Sequence, residues 1–228
     1  MIDVLQFLFN GFKHGYPKMI TFDQRLMNKY QNLIICSSNK GKIKEFNSIF
    51  AENSGLEFKT ISELYNENFD PEENGQSFSE NAYIKAKAGF DITSKLLDNS
   101  FLVIADDSGI EISGLGGRPG IYSGRYLKQV GGGIQGVLAE MQNQKNRECR
   151  FVCNITALDH SGKKVFETEQ YWNGVISDNP RGTNGFGYDP IVIPRGFQET
   201  VAELDKNTKD KISHRAQALK KLLDFLRN

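Results

Sequence analysis

The chain has 228 residues, 39% of them apolar and 25% charged, with 22 Gly and 6 Pro; this is the profile of a folded globular protein long enough for one domain of two lobes around a cleft. Lys plus Arg and Asp plus Glu both number 28, so no global positive field draws in nucleic acid or an anionic membrane, and a polyanionic ligand must be held by local clusters. Three Cys and three scattered His spell out neither a disulfide framework nor a zinc site, and the default compartment is the reduced cytoplasm.

Residues 1–30 mix aromatics and charges without sustained periodicity and read as an N-terminal extension to a domain over residues 31–228. The run from Val4 to Phe9 falls short of the roughly 20 apolar residues that span a bilayer. It also lacks the basic start and small-residue cleavage site of a signal peptide. Met19 and Met27 lie inside this stretch, which leaves a later translation start and a structured arm as the two readings.

The first strand pattern is Asn32 to Cys36, followed by the polar turn Ser37-Ser38-Asn39-Lys40-Gly41-Lys42 and a helix with Ile43, Phe46, Ile49 and Phe50 on one side. A loop from Asp70 to Gln76 leads to Ser77-Phe78-Ser79-Glu80, a capping box that opens a helix to about Leu97. Asn81 and Lys85 share a face of it at i, i+4. Phe101 to Ala105 is a continuous apolar run of buried-strand type. It is expected to end in Asp106-Asp107-Ser108-Gly109, which sets two carboxylates at the C-terminal mouth of a central strand. Glycines at 114, 116, 117, 120 and 131 to 133 mark loops. Phe151 to Leu158 and Lys164 to Trp172 alternate around Asp159-His160-Ser161-Gly162 as an antiparallel hairpin. A third strand, Ile191 to Ile193, follows the Gly-rich loop from Pro180 to Asp189. One amphipathic helix with Ile212, Ala216, Leu219, Leu222, Leu223 and Leu226 closes the chain and carries Lys209 and Ser213-His214-Arg215 at its start. Early alternation of strand and helix with a late hairpin predicts an α/β protein on a mixed sheet, whose ligands sit at strand C-terminal ends.

Five groups of residues could carry chemistry. Ser37 to Lys42 let backbone N–H groups approach an anion at a helix start, with Lys42 as a cation; taken alone, lysines at 40, 42 and 44 fit a solvated face better. Asp106 and Asp107, in extended backbone, point to opposite faces, so one of them reaches a given ligand. Asp107 with Glu73 could serve Mg²⁺, which takes one or two carboxylates plus phosphate oxygens; solvated turn residues are the equal alternative. Asn81 and Lys85 are either a solvated stripe or donors to a shared anion. Phe186 between Gly185 and Gly187, followed by Tyr188 and Asp189, offers an aromatic platform for a base or a core plug. Lys209, His214 and Arg215 near a helix start oppose its dipole, which calls for an anionic or carbonyl-bearing partner.

Taken in order, these segments resemble the inosine triphosphate pyrophosphatase family, also called the Ham1 or RdgB family, from about Asn32 to the C-terminus. The matching stretches are Ser37 to Lys42 with Glu45-Phe46, Glu73 and Gly75, Phe78 with Glu80-Asn81-Ala82 and Lys85-Ala86, Ala105 to Gly109, Leu115 to Gly117 with Pro119 to Ser123, Arg181 to Thr183, Gly185 to Pro190, and Ile212 to Arg215. The resemblance implies a long mixed β-sheet with flanking helices, two lobes around a central cleft, and a homodimer. It implies Mg²⁺-dependent hydrolysis of ITP, dITP and XTP to the monophosphate and pyrophosphate. By the same likeness Ser37, Ser38, Asn39, Lys40, Gly41 and Lys42 cradle phosphates, Glu73 and Asp107 hold the metal, and Asp107 is the general base beside Lys42 and Lys85. Asn81 and Ser108 contact substrate, and Phe186, Gly187, Tyr188, Asp189, Lys209, His214 and Arg215 hold the base. The chain departs from the family in having Ser37-Ser38 where Thr-Gly is commoner, and Ser123-Gly124-Arg125 where Ser-Ala-Arg is commoner. A Maf-like pyrophosphatase for pyrimidine or modified nucleotides and a non-catalytic nucleotide- or RNA-binding module are the rival readings.

Overall fold

The computed structural model describes residues 30–53, 58–65, 69–98, 100–129 and 133–228. The extension assigned to residues 1–30 therefore lies outside the described residues up to residue 29, and Tyr30 belongs to the buried core. The strands are β1 (Asn32–Ile35), β2 (Lys59–Thr60), β3 (Phe101–Ile112), β4 (Pro119–Gly120), β5 (Glu148–Asp159), β6 (Lys164–Ile176) and β7 (Val192–Pro194). The helices are α1 (Lys40–Asn53), α2 (Ile61–Tyr65), α3 (Phe78–Leu96), α4 (Ser123–Gln129), α5 (Ile134–Met141), α6 (Lys206–Ile212) and α7 (His214–Arg227).

The sheet runs β2-β1-β3-β5-β6-β7, with β4 beside the far end of β3. β1 is parallel to β2 and β3, while β3, β5, β6 and β7 pair antiparallel. This is the mixed sheet that the sequence predicts. Helices α1 and α7 cover one face of its first half, where Phe46, Ile49 and Phe50 meet Leu219, Leu222 and Leu223 over Leu102, Ile104 and Ile155. On the opposite face Ala86 of α3 packs with Val103, Ala105 and Leu158. A separate cluster around Ile110, Phe151, Trp172, Ile191 and Met141 fills the far end. Burial of three apolar surfaces, each removed from water, divides the fold into two lobes with a crevice between them.

The expected end of the central strand at Asp106 is corrected: β3 continues to Ile112. Its partner β5 offers a ladder that pairs Leu102 with Asp159 and runs on to Ile112 opposite Cys149, so the backbone of Asp106 and Asp107 stays hydrogen-bonded in the sheet. What ends there is β1. Its register with β3 stops at Ile35 opposite Ile104, Cys36 N–H donates to Ile104 O at 2.8 Å, and the chain turns away into α1. The carboxylates thus stand where the parallel ladder stops, which still opens a crevice of the type that binds ligands in α/β sheets.

The single closing helix is also corrected. Ser213, extended at φ −64°, ψ 160°, ends α6 and caps α7, its Oγ accepting the Ala216 N–H at 3.1 Å. A side-chain acceptor at that position supplies the new helix with a partner for an orphan amide. The glycine-rich segment after β3 holds two short helices, α4 and α5, between its turns. The N-cap stands as predicted at Ser77, whose oxygen accepts the Glu80 N–H at 3.1 Å, but the return arm of the capping box is shifted by one residue, Glu80 Oε2 accepting the Gln76 N–H at 2.6 Å. Among the described residues no helix is long and apolar enough to cross a membrane.

Candidate active site

Between the lobes lies a cavity of about 1020 Å³ whose walls bring together the N-terminal turn of α1, residues 69–74, Lys85, Asp107, α4, residues 186–189, Lys209, His214 and Arg215. At its floor, successive residues of β3 face opposite ways, as strand geometry requires. Asp106 turns to the α1/α7 side, where Lys42 Nζ lies 3.0 Å and Arg215 Nη2 3.3 Å from its Oδ2. Burial works against the Asp106 charge, but Lys42, Arg215 and Lys85 outweigh it and hold its carboxyl far below the usual range. Asp107 turns to the α3 side, where Lys85 Nζ stands 2.7 Å from its Oδ1 and 3.2 Å from Glu73 Oε1. Here burial wins and raises the Asp107 pKa despite Lys85 and Lys42. For Lys85, burial opposes the charge, yet Asp107, Asp106 and Glu73 keep its pKa above the ordinary lysine value. The corner is short of positive charge, and a cation would be stabilised there.

Asn81 organises this corner from inside. It is buried, its Oδ1 accepts the Gly75 N–H at 2.9 Å, and its Nδ2 donates to Asp107 Oδ2 at 3.4 Å. One amide therefore ties the acidic loop to the strand carboxylate. The solvated-stripe reading of Asn81 and Lys85 is corrected: both are buried, because they meet partners across the helix–sheet contact. The family likeness implies that Asn81 touches substrate; in this structure it lies outside the cavity lining and bridges Gly75 and Asp107.

The opposite wall is a chain of buried charges. Arg215, 2% exposed, is paired with Glu45 on Nη1 and donates from Nη2 to Ser108 Oγ at 2.7 Å. Lys209 Nζ lies 2.7 Å from Glu45 Oε1 and 2.6 Å from Asp189 Oδ2. Burial opposes the Glu45 charge, but Arg215 and Lys209 prevail and lower its pKa. The anionic partners that the cations of this region call for are thus three carboxylates of the chain itself, Glu45, Asp106 and Asp189, before any ligand enters. His214 is stacked on Phe151, centroids 4.9 Å apart at 9°. Burial, then Arg215 and Lys209, push its pKa well below the ordinary 6.5, so the ring is neutral at pH 7. Its Nδ1 is buried with no hydrogen-bond partner among the described residues.

The α1 turn and the aromatic loop meet across the cavity. Asn39 caps α1 with its own side chain, Oδ1 accepting the amides of Gly41 at 2.9 Å and Lys42 at 3.2 Å, and Ser37 Oγ accepts the Asn39 N–H at 3.3 Å. Two of the amides expected to cradle phosphate are therefore occupied by Asn39. Ser38 and Lys40 stand exposed beside them. Phe186, 36% exposed, lays its ring against Gly41, where a Cβ would come within 2.8 Å of Cδ1. Lys209 Nζ stands 4.9 Å and Arg215 Cζ 5.9 Å from the ring centroid, an arrangement that favours the cations over the π face. Gly185, at φ +76°, packs so closely that a Cβ would meet Asp189 Oδ2 at 1.9 Å, and Asp189 Oδ2 accepts the Phe186 N–H at 2.8 Å. Gly187 supplies a second positive-φ turn. Tyr188 is buried, its Oη donating to Ser123 O at 2.9 Å, so it braces the loop against α4.

The cavity is lined by most of the residues nominated from sequence, whereas Lys40, Gly41 and Asn81 lie outside its lining. The structure adds Phe151 and Arg125 to the walls, and behind the walls it adds Glu45 as a buried partner of Lys209 and Arg215. Glu45 carried a signal, since unpaired cations at Lys209 and Arg215 demand a buried anion; Phe151 and Arg125 gave none without the fold. Burial raises the thiol pKa of Cys36, which lines the cavity, and pushes Cys149 and Cys153 up to about 12, which removes a thiolate nucleophile from the candidates.

A sequence profile described as the Ham1 family matches residues 33–225. The chain is 43% identical over 199 residues to a dITP/XTP pyrophosphatase of Bacillus subtilis (strain 168), covering 85% of this chain and 96% of that protein. It is 42% identical over 192 residues to a dITP/XTP pyrophosphatase of Nautilia profundicola, covering 82% and 93%. Among solved structures, the Staphylococcus aureus Ham1 protein superposes with a TM-score of 0.71 at 39% identity, over 86% of this chain and 97% of that one. A HAM1 protein from Coxiella burnetii gives 0.74 at 34% identity, over 86% and 98%.

Proposed function

Because the chain belongs to the Ham1 family, we propose that it hydrolyses the non-standard purine nucleotides ITP, dITP and XTP to the monophosphate and pyrophosphate, with Mg²⁺, and so cleanses the nucleotide pool. The observation that carries this reading is the pairing of one acidic strand with two lysines in one cavity: Lys42 reaches Asp106 from α1, and Lys85 joins Asp107 to Glu73 from α3. Family membership selects this reading over the Maf-like alternative.

A triphosphate brings about four negative charges that must be neutralised before water can approach the α-phosphorus. Lys42 and Lys85 are placed to do so from two sides of the floor. Asp107 orients the water and accepts its proton, a task suited to a carboxyl whose proton affinity burial has raised. Mg²⁺ would be held by Glu73 and Asp107, the hard-oxygen donors at the electron-rich corner, with phosphate oxygens and water as its other ligands. It would supply further neutralisation of the phosphate charge.

Base choice follows from edge chemistry. Hypoxanthine and xanthine present an acceptor oxygen at C6, where adenine presents an amino donor. A wall of donors, Lys209 and Arg215 beside the Phe186 platform, is satisfied by the oxygen and opposed by the amine. Sites that select by hydrogen bonding can discriminate by about 10⁴-fold. We extend the proposal to a homodimer, from the family likeness, working in the cytoplasm, from the lack of a disulfide framework among its three cysteines.

The reading is tested by incubating the protein with ITP, dITP, XTP, GTP and ATP, with and without Mg²⁺, and measuring pyrophosphate. It expects release from the first three only with metal, little from ATP, and none from an Asp107→Asn variant that still binds ITP. Equal turnover of ATP, or an active Asp107→Asn protein, refutes it.

A further inference from the structure

We infer that Arg125 is a positioning residue: from the far lobe it fixes the acidic loop of residues 69–76, and with it Glu73, beside Asp107 and Lys85. The inference deepens the proposed pyrophosphatase reading and rests on it for its kinetic part.

Arg125 Nη2 donates to the backbone carbonyl of Glu73 at 2.6 Å, across 52 positions of sequence. Between Asp70 and Asn74 this is the one hydrogen bond to the loop backbone among the described residues. On the C-terminal side the loop is secured by Gly75 N–H to Asn81 and by Gln76 N–H to Glu80 Oε2 at 2.6 Å. The Glu73 carboxylate itself is 29% exposed, and it shares the Lys85 amine with Asp107. A lysine divided between two carboxylates holds neither firmly once a triphosphate competes for it, whereas a backbone anchor is indifferent to that competition.

The Arg125 guanidinium lies 5.4 Å from the ring centroid of Tyr122, itself 54% exposed, a contact that favours this orientation of the arginine modestly at an exposed site. Ser123, two residues earlier, accepts the Ile110 N–H on Oγ at 2.8 Å and donates from it to Gly120 O at 2.6 Å. Its carbonyl accepts Tyr188 Oη. α4 is therefore fastened to β3 just beyond Ser108 and to the aromatic loop, and Arg125 extends that frame to the acidic loop. Groups hydrogen-bonded to a metal-binding side chain commonly change metal affinity or activity by about 10–100-fold when removed, and Arg125, which holds the Glu73 backbone, is expected at the lower end of that range.

The test compares Arg125→Ala and Arg125→Lys in the full chain. Without nucleotide or metal, hydrogen exchange at the Gly75 and Gln76 amides, the two that are hydrogen-bonded in the loop, should quicken about fivefold in the alanine variant, the scale of one lost hydrogen bond, and return toward the wild-type rate with lysine, whose ammonium can still donate. With ITP, the Mg²⁺ concentration for half-maximal turnover should rise about tenfold or more in Arg125→Ala and recover in Arg125→Lys, while the preference for ITP over ATP is unchanged. Unchanged loop exchange overturns the inference, and so does a rise in KM for ITP that persists at every Mg²⁺ concentration, which would place Arg125 on the phosphates instead. If the wild-type chain hydrolyses no triphosphate, the functional reading fails, and the exchange measurement still decides whether Arg125 holds the loop. Should Arg125→Ala not fold, the exchange rate and metal dependence of Arg125→Lys carry the test by staying at wild-type values.

Discussion

Asp106 and Asp107 are neighbours with opposite proton affinities, and the cause is the face of β3 on which each stands. Asp106 faces Lys42 and Arg215 and is held strongly ionised, whereas Asp107 shares Lys85 with Glu73 and has its pKa raised by burial. The first serves as a fixed counter-charge, the second as a group able to take up a proton. His214 shows the same logic with the sign reversed. Its folded pKa lies well below 6.5, so below pH 6.5 the unfolded chain binds a proton that the folded chain refuses. Stability from this residue is complete above about pH 6.5 and declines as pH falls toward the folded pKa. Thermal melts between pH 7.5 and 5 should therefore show falling stability, and His214→Phe, which keeps the stack on Phe151 and removes the orphaned Nδ1, should flatten the profile. Identical slopes in the two proteins would show that His214 is not the group responsible.

Among the elements, α1 has the double task of presenting Lys42 to the cleft and burying Glu45 between α6 and α7. Replacing Glu45 by Gln leaves Arg215 with Asp106 and Lys209 with Asp189, each short of one negative charge. Breaking a buried ion pair costs about 3–5 kcal/mol, and the remaining partners set the expectation near the lower value, about 3 kcal/mol. Urea unfolding at pH 7 measures it, and an unchanged midpoint would mean that the network contributes nothing to folding. Much of this element level was legible in the sequence. Periodicity located α1, α3 and the β5–β6 hairpin, and Ser77 marked the start of α3. Local pattern did not reveal where β3 ends, because the ladder beyond Asp107 is supplied by β5, some forty residues away. Nor did it reveal the break at Ser213: the apolar spacing of Ile212, Ala216 and Leu219 continues smoothly across it, and the cap became visible only through the Ser213 dihedrals. The site was legible as a set of residues, through a likeness spread over the chain. Its wiring was not, since Glu45, Asn81 and Arg125 act through partners that only the fold brings near.

At the scale of the whole molecule, the cleft is a meeting of two lobes, each with its own apolar core. The near lobe contributes Lys42, Lys85 and both β3 carboxylates; α4 and the aromatic loop, which pack on the far lobe, contribute Arg125, Phe186 and Tyr188. Two contacts cross the gap, Phe186 on Gly41 and Arg125 on Glu73, and in the proposed reading they set the distance between the base end and the polyphosphate end. In the proposed reaction a nucleotide spans both ends with its α-phosphorus over Asp107, and water attacks at that atom. Hydrolysis of ITP in ¹⁸O-labelled water, followed by ³¹P NMR, tests it directly. The account predicts equal amounts of IMP and pyrophosphate, with the label in IMP alone. Label in pyrophosphate, or IDP and phosphate as products, would contradict it.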